Sequence, residues 1–287
     1  MATAPNLRAI PSGLAARLVE AQARVDQELT RLLADRADDG RDAGSLREGM
    51  RYAVLGEGKR IRPVVAFAAA EAVGSTWDAA LPAAAAIELL HAYTLVHDDL
   101  PAMDDDAERR GRPTVHVAFG EWTAILVGDA LLTAAFEALA PLGPRAADAI
   151  RILAGRAGAR ELLAGQARDL EVVRGPKDLP PIPLANMADL ERLHAQKTGA
   201  LFAAAAELGA LAGGADLAER SALSTFGLEL GLMFQHADDL SDGDRPDTMA
   251  ESRRRLKVLS ARLADAAAAR GERGTLLGLL VKWVSGT

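Results

Sequence analysis

A chain of 287 residues that is 49% hydrophobic can bury one large core, and its formal charge of −7 argues against a sequence-independent nucleic-acid binder, which is basic as a rule. With no cysteine, disulfides and thiolate-bound metals are excluded, and the composition fits a reducing compartment, so a cytoplasmic location is expected. Alanine and leucine dominate while aromatics make up only 4%, which favours helix over sheet.

The first twenty residues lack the long apolar run of a signal peptide. No membrane span is expected, because Glu88 and His91 interrupt the most apolar stretch before it reaches the roughly 18 residues a span needs. Glycine and proline break the chain at Gly40, 56–59, Gly74, 111–113, 141–144, 175–183, 213–214 and 242–246. Between these breaks apolar residues recur at helical spacing, and none of the segments alternates at period two. The expectation is an all-α fold: a single domain over 1–287, with ten or so closely packed helices and essentially no sheet.

The first chemical signal along the chain is "GEGKRIRP" (56–63), where Lys59, Arg60 and Arg62 stand beside Gly58 at a helix start. Backbone N–H groups at a helix N-terminus and adjacent guanidinium groups suit a phosphate, although basic residues are common at such places. Next comes an apolar helix ending in "HDDLPAMDDD". Ile87, His91, Thr94 and Asp98 fall on one of its faces, with His91 about 10 Å along the axis from Asp98. Pro101 cannot continue a regular helix, so Asp104 is expected on a distorted turn folding back toward Asp98. Arg109 and Arg110 follow. On its own such a run reads as a solvated acidic loop balanced by its arginines.

Further along, "LLAGQARDLE" (162–171) sets Gln166 and Asp169 three apart, either as supporting hydrogen-bonding groups or as an exposed polar face. "RLHAQKTGALF" (192–202) places Lys197 and Thr198 in an otherwise apolar helix, where a snorkelling lysine is an equally ordinary account. "GLMFQHADDLSD" (231–242) then repeats the first pattern, with Gln235, Asp238 and Asp242 at one-turn spacings at the end of an apolar helix. Two acidic clusters on two long helices, facing across a bundle, would be oxygen ligands for a hard cation such as magnesium, which takes few carboxylates and completes its shell with water and phosphate. A calcium loop does not fit "DDLSDGD", because Leu240 and Met249 fall on ligand positions. A histidine-aspartate phosphohydrolase built on His91 and His97-Asp98 would need more histidines than the chain's five readily supply.

Taken together, "GKRIRP", "HAYTLVHDDLPAMDDD" with "RRGRPTVH", "GQARDLE", "KTGALF" and "FQHADDLSD" resemble, in order and spacing, the trans-isoprenyl diphosphate synthases, most nearly the bacterial farnesyl diphosphate synthases. The likeness covers roughly residues 45–242. It implies the isoprenoid synthase fold, a helical bundle around a deep central cavity and usually a homodimer. It also implies condensation of isopentenyl diphosphate with an allylic diphosphate, dimethylallyl or geranyl, assisted by Mg2+, with three ions when substrate is bound. By the same resemblance Asp98, Asp104 and Asp238 bind magnesium, with Asp99 and Asp242 as supporting carboxylates. Gly58, Lys59, Arg62, His91 and Arg110 match the isopentenyl diphosphate site; Arg109, Lys197, Thr198 and Gln235 match the allylic site. The resemblance also assigns the ends of the reaction: Asp98, Asp104, Arg109, Lys197 and Asp238 serve ionisation. Tyr93, five residues before Asp98 and with the small Thr94 beside it, closes the cavity floor for a C15 product, farnesyl diphosphate. A geranylgeranyl product, a terpene cyclase and a non-catalytic partner subunit are the alternatives; the intact isopentenyl site weighs against a cyclase, and two whole aspartate motifs weigh against a silent subunit. One departure stands out. The family's glycine-lysine loop after the second motif is replaced by "SDGDRPDTMAESRRRLK", which leaves Arg245 or the run Arg253–Arg255 to supply the missing positive charge.

Overall fold

The computed structural model describes residues 10–34, 44–56, 58–177, 179–242 and 248–286. Thirteen α-helical segments account for nearly all of the regular structure there, in keeping with the expected all-α bundle. The count exceeds ten because several segments are short or continue one another.

Four helices make the centre: α3 (Ile61–Ala72), α4 (Trp77–Asp98), α10 (Ala200–Ala212) and α11 (Leu217–Asp242). α10 is buried on all sides apart from Glu207, and it packs on α3, α4 and α11. Its sequence, "ALFAAAAELGALA", has small side chains that let neighbouring backbones come close, and a helix that is apolar all round belongs in the middle of a bundle. α4 is likewise apolar through most of its 22 residues. Among the described residues it is the one single helix long and apolar enough to cross a membrane, which corrects the expectation that Glu88 and His91 break the run too early. Its most apolar window is 67% buried within the bundle, against α3, α6 (Glu121–Glu137) and α10. Glu88 is no break at all: Arg60 Nη1 donates to it at 2.8 Å inside the protein.

Around this core lie α1 (Ser12–Leu32), α2 (Ser45–Val54), α5 (Val115–Phe119), α7 (Ala146–Ala157), α8 (Leu162–Val173), α12 (Met249–Ala268) and α13 (Thr275–Ser285). α9 (Met187–His194) runs into α10 through a π turn, Ala195–Gly199. The two-residue strands β1 (Glu108–Arg109) and β2 (Arg112–Pro113) pair antiparallel, with Arg109 opposite Arg112. The loop between them is Arg110-Gly111. Both residues have positive φ, 55° and 73°, as a type I′ turn requires; glycine adopts this freely, but at Arg110 it costs on the order of 1 kcal/mol.

Candidate active site

α4 stops where the sequence turns acidic. Pro101 has no N–H with which to extend the helix, and the chain doubles back so that the Asp104 N–H donates to the Asp98 carbonyl at 2.8 Å. The two outer aspartates of the first motif are therefore neighbours, as the sequence leads one to expect. Asp99 faces elsewhere: it is 3% exposed and accepts from Arg109 Nε at 2.7 Å, while Arg109 also reaches Asp106 at 3.3 Å. In this structure Asp99 holds the arginine hairpin in place. Burial works against the Arg109 charge, but the bonds to Asp99 and the field of Asp106 and Asp98 outweigh it and raise its pKa.

The π turn puts Lys197 across from this cluster. Its ammonium pairs with Asp169 of α8, and its charge acts on Asp98. Burial pushes the Asp98 carboxyl up to about 7; Lys197 and Arg109 pull it down, while Asp104 and Asp99 push further up. The next residue, Thr198, donates from Oγ1 to Gln235 Oε1 at 2.9 Å. Gln235 lies three residues, one turn, before Asp238 on α11.

From Asp238 the contacts return to α4. Arg62, at the start of α3, feels the Asp238 carboxylate, and its Nη1 donates to His91 Nε2 at 3.2 Å. Burial brings the Arg62 pKa down to about 10, which leaves the guanidinium charged near neutrality. Its planar head also lies 5.0 Å from the centre of the Phe202 ring. Burial first, and then the fields of Arg62, Arg110, Arg109 and Arg60, hold the His91 pKa well below its usual value, so this imidazole is neutral and accepts from Arg62. His91 is two turns before Asp98 on the same face of α4. Asp98, Lys197, Thr198, Gln235, Asp238, Arg62 and His91 are thus linked in a ring, by hydrogen bonds, charge and helix spacing, carried by α4, the π turn, α11 and α3.

The "GKRIRP" stretch divides its charges. Arg60 points inward: Nε donates to Asp26 and Nη1 to Glu88, each at 2.8 Å, and Nη2 to the Val54 carbonyl at 2.8 Å. It ties α1, α2 and α4 together and is structural. Lys59 extends outward, its Nζ 5.7 Å from the centre of the Trp283 ring. Gly58 leaves room for two guanidinium groups: a Cβ there would stand 2.8 Å from Arg110 Nη1 and 3.0 Å from Arg60 Nη1, and Arg110 would have to shift. Arg110 accordingly comes in beside the backbone at 58.

Tyr93 is 5% exposed, and its ring meets that of His97 edge-on at 5.7 Å. Burial raises its pKa to about 12, with the Asp98 charge adding to the shift, so the phenol stays protonated beside the cluster. Thr94 turns its hydroxyl back to the His91 carbonyl at 2.8 Å. His97 Nε2 lies 3.0 Å from the Ile125 carbonyl on α6, and with His91 committed to Arg62 the histidine-aspartate phosphohydrolase reading loses its ligands. The Asp242 side chain and Arg245 lie outside the described residues. Arg254 and Arg255 are engaged by Glu251, and Arg255 also by Glu191, so the positive charge expected of them is largely neutralised.

Three features had no clear signal in the sequence: the π turn, the inward Arg60–Glu88 pair and the part Asp169 plays as the partner of Lys197. Only the last was foreshadowed, by its spacing from Gln166.

This arrangement has known counterparts. The family model described as polyprenyl synthetase matches residues 44–249, a span containing every member of the ring. The chain belongs to the polyprenyl synthetase family. The farnesyl diphosphate synthase of Geobacillus stearothermophilus is 41% identical over 203 residues, 69% of this chain and 66% of that protein. Geranylgeranyl pyrophosphate synthase 7, chloroplastic, of Arabidopsis thaliana is 44% identical over 212 residues, 72% of this chain and 60% of that protein. Against such plant members of the polyprenyl synthetase family, the chain spans less than two thirds of their length. A crystal structure of an FPP/GFPP synthase from Zymomonas mobilis superimposes with a TM-score of 0.85 at 32% identity, covering 95% of this chain and 99% of that one.

Proposed function

We propose that this polyprenyl synthetase is a short-chain prenyltransferase that condenses isopentenyl diphosphate with dimethylallyl or geranyl diphosphate, with farnesyl diphosphate as its main product. The observation that carries this reading is the set of linked contacts itself, in which carboxylates of α4 and α11 act on the fixed cations Lys197 and Arg62. Magnesium fits the donor set. Asp98, Asp104 and Asp238 offer only hard oxygen, and a carboxyl pushed up to about 7 by burial and its acidic neighbours is relieved by a divalent cation. Asp98 and Asp104 on one side, with Asp238 on the other, would hold it. When bound there, magnesium supplies positive charge against the departing diphosphate as the allylic C–O bond breaks.

The chain's own groups do the rest. Lys197, Arg109, Thr198 and Gln235 receive the allylic diphosphate; Lys59, Arg62 and Arg110 receive that of isopentenyl diphosphate. Neutral His91 holds the Arg62 guanidinium in place. Fixing the two substrates against one another supplies proximity, and the apolar walls of α4 and α10 keep water from the cation. His91 is the one imidazole of the ring, and surrounded by arginines it does not take up the final proton. The released diphosphate is left as the base. Incubation with isopentenyl diphosphate and each allylic diphosphate in turn, followed by product mass analysis, tests the reading. A condensation product with at least one primer is expected, and none with any primer overturns it.

Chain length rests on Tyr93. The plant relatives are named for a geranylgeranyl product and the Zymomonas neighbour for two products, so a C20 product is the second reading. A buried ring one turn and a half before Asp98 supports the shorter one. Tyr93→Ala is expected to open a ring-sized void and move the products toward C20 or beyond. An unchanged C15 fraction would place the floor on another helix.

A homodimer belongs to the same proposal. On α6, Trp122 is 65% exposed and Ile125 and Leu126 are 46% exposed, with Val117 of α5 beside them at 52%. A second copy would cover this apolar face. Light scattering should give twice the chain mass for the wild type and the chain mass for Trp122→Glu combined with Leu126→Arg. A dimer that survives both changes lies on another face.

A further inference from the structure

One cluster next to the ring has no part in the chemistry above. His194, the last residue of α9, and His236 and Asp239 of α11 each bring a ligand-type nitrogen or oxygen within 4.8 Å of the others. His194 Nε2 is 3.6 Å from Asp239 Oδ2, and the two imidazole rings are 5.7 Å apart at 78°. Both histidines are buried, and the Asp239 side chain is only 16% exposed. Two further groups flank His236: Glu191 Oε1 lies 3.3 Å from its Nε2, and Ser252 Oγ of α12 lies 3.3 Å from its Nδ1. Arg255 Nε is in turn 3.0 Å from that Glu191 oxygen.

We propose that His194, His236 and Asp239 form a site for a borderline divalent cation of the zinc class, distinct from the magnesium carboxylates. The donor set is the first ground. Two imidazoles and one carboxylate are the ligands of zinc and its neighbours, whereas magnesium takes oxygen donors and keeps several waters. Geometry is the second. With metal–ligand bonds of about 2.0–2.1 Å, tetrahedral ligands stand roughly 3.4 Å apart. The His194–Asp239 separation, 3.6 Å, is already close to that, and no pair of ligand atoms is more than 4.8 Å apart. The surroundings are the third. A metal-bound histidine fixes its other ring nitrogen on an oxygen acceptor, and Glu191 and Ser252 each face a ring nitrogen of His236, so whichever nitrogen binds, the other keeps a partner.

The consequence is mechanical. His194 directly precedes the π turn, and Lys197 is three residues on. A cation here would fasten α9 to α11 beside the turn that presents Lys197 and Thr198, acting as a brace with no contact to substrate.

The test uses the full chain freed of metal by chelator, with no diphosphate present, titrated with zinc chloride by calorimetry and thermal melting. One zinc ion per chain is expected, with a raised melting temperature, and excess magnesium should leave the uptake unchanged. His194→Gln and His236→Gln should each weaken zinc binding by tenfold or more, while Asp98→Ala should leave it intact. Cobalt substituted into the wild-type protein should show the intense visible bands of a four- or five-coordinate nitrogen-ligated ion, a readout that stands even where a variant fails to fold. No stoichiometric uptake, displacement of zinc by magnesium, loss of binding in Asp98→Ala with the histidine variants unaffected, or a pale six-coordinate cobalt spectrum would each overturn the proposal. Because no turnover is measured, failure here leaves the prenyltransferase reading untouched.

Discussion

Asp98→Ala and Asp238→Ala are each expected to lower condensation by on the order of a thousandfold, about 4 kcal/mol of transition-state stabilisation. The two residues stand at opposite sides of one ring. Removing either deletes a carboxylate from the set that would hold magnesium, and it also takes a negative charge from the field around a fixed cation, Lys197 in one case and Arg62 in the other. The loss should fall mainly on kcat, since the positive charge matters most once the diphosphate is leaving. Steady-state kinetics at saturating magnesium checks this. Near-normal turnover in either variant, or full wild-type activity in excess chelator, would remove the metal from the proposal.

Asp98→Asn is expected to stabilise the metal-free protein while abolishing its activity. The Asp98 carboxyl is raised from an ordinary 3.8 to about 7, so between those values the folded chain binds more protons than the unfolded one. Stability from this group is therefore complete below about pH 4 and falls as pH rises through 7. A shift of that size corresponds to about 4 kcal/mol, and partial exposure reduces the figure to roughly 2–4 kcal/mol. An amide carries no charge to desolvate and escapes the loss. Thermal melts without metal should show Asp98→Asn above the wild type by about 4–8 °C at pH 8, with the gap closing by pH 4. Saturating magnesium should also close it, by neutralising the wild-type carboxylate. A gap independent of pH would mean that the aspartate is merely a poor packing residue, with no unpaired charge involved.

Much of this site was legible before any coordinates. The helical character of α4, α10 and α11 follows from alanine and leucine content and the absence of period-two alternation. The fold-back of Asp104 follows from Pro101. Glu88 and Arg60 are where the sequence misleads: a lone glutamate in an apolar run reads as an interruption, and an arginine among lysine and arginine reads as phosphate-binding. Only the tertiary arrangement pairs them, because their partnership spans 28 positions and two helices. The arginine run of α12 was legible only in part. Its charge is plain in the sequence, but the carboxylates that pair with Arg254 and Arg255, Glu251 and Glu191, carry no mark of that duty. The π turn was invisible, since nothing in "HAQKTGAL" distinguishes a five-residue turn from an ordinary one.

That turn has a consequence of its own. An α-helix keeps angular time at about 100° per residue, and a π turn inserts one extra beat. Beyond Gly199 every side chain of α10 points where its predecessor would have pointed had the helix stayed regular. The burial of α10, from Ala200 to Ala212, is set to this shifted phase. Forcing 195–199 into a regular helix with no residue removed would rotate twelve buried residues by about 100° at once, whereas a single deletion there would leave their phase unchanged. Lys197 and Thr198 thus occupy the point where the angular count slips. Their position cannot drift along the helix without re-indexing the core, so the pair is held in place by packing well away from any substrate.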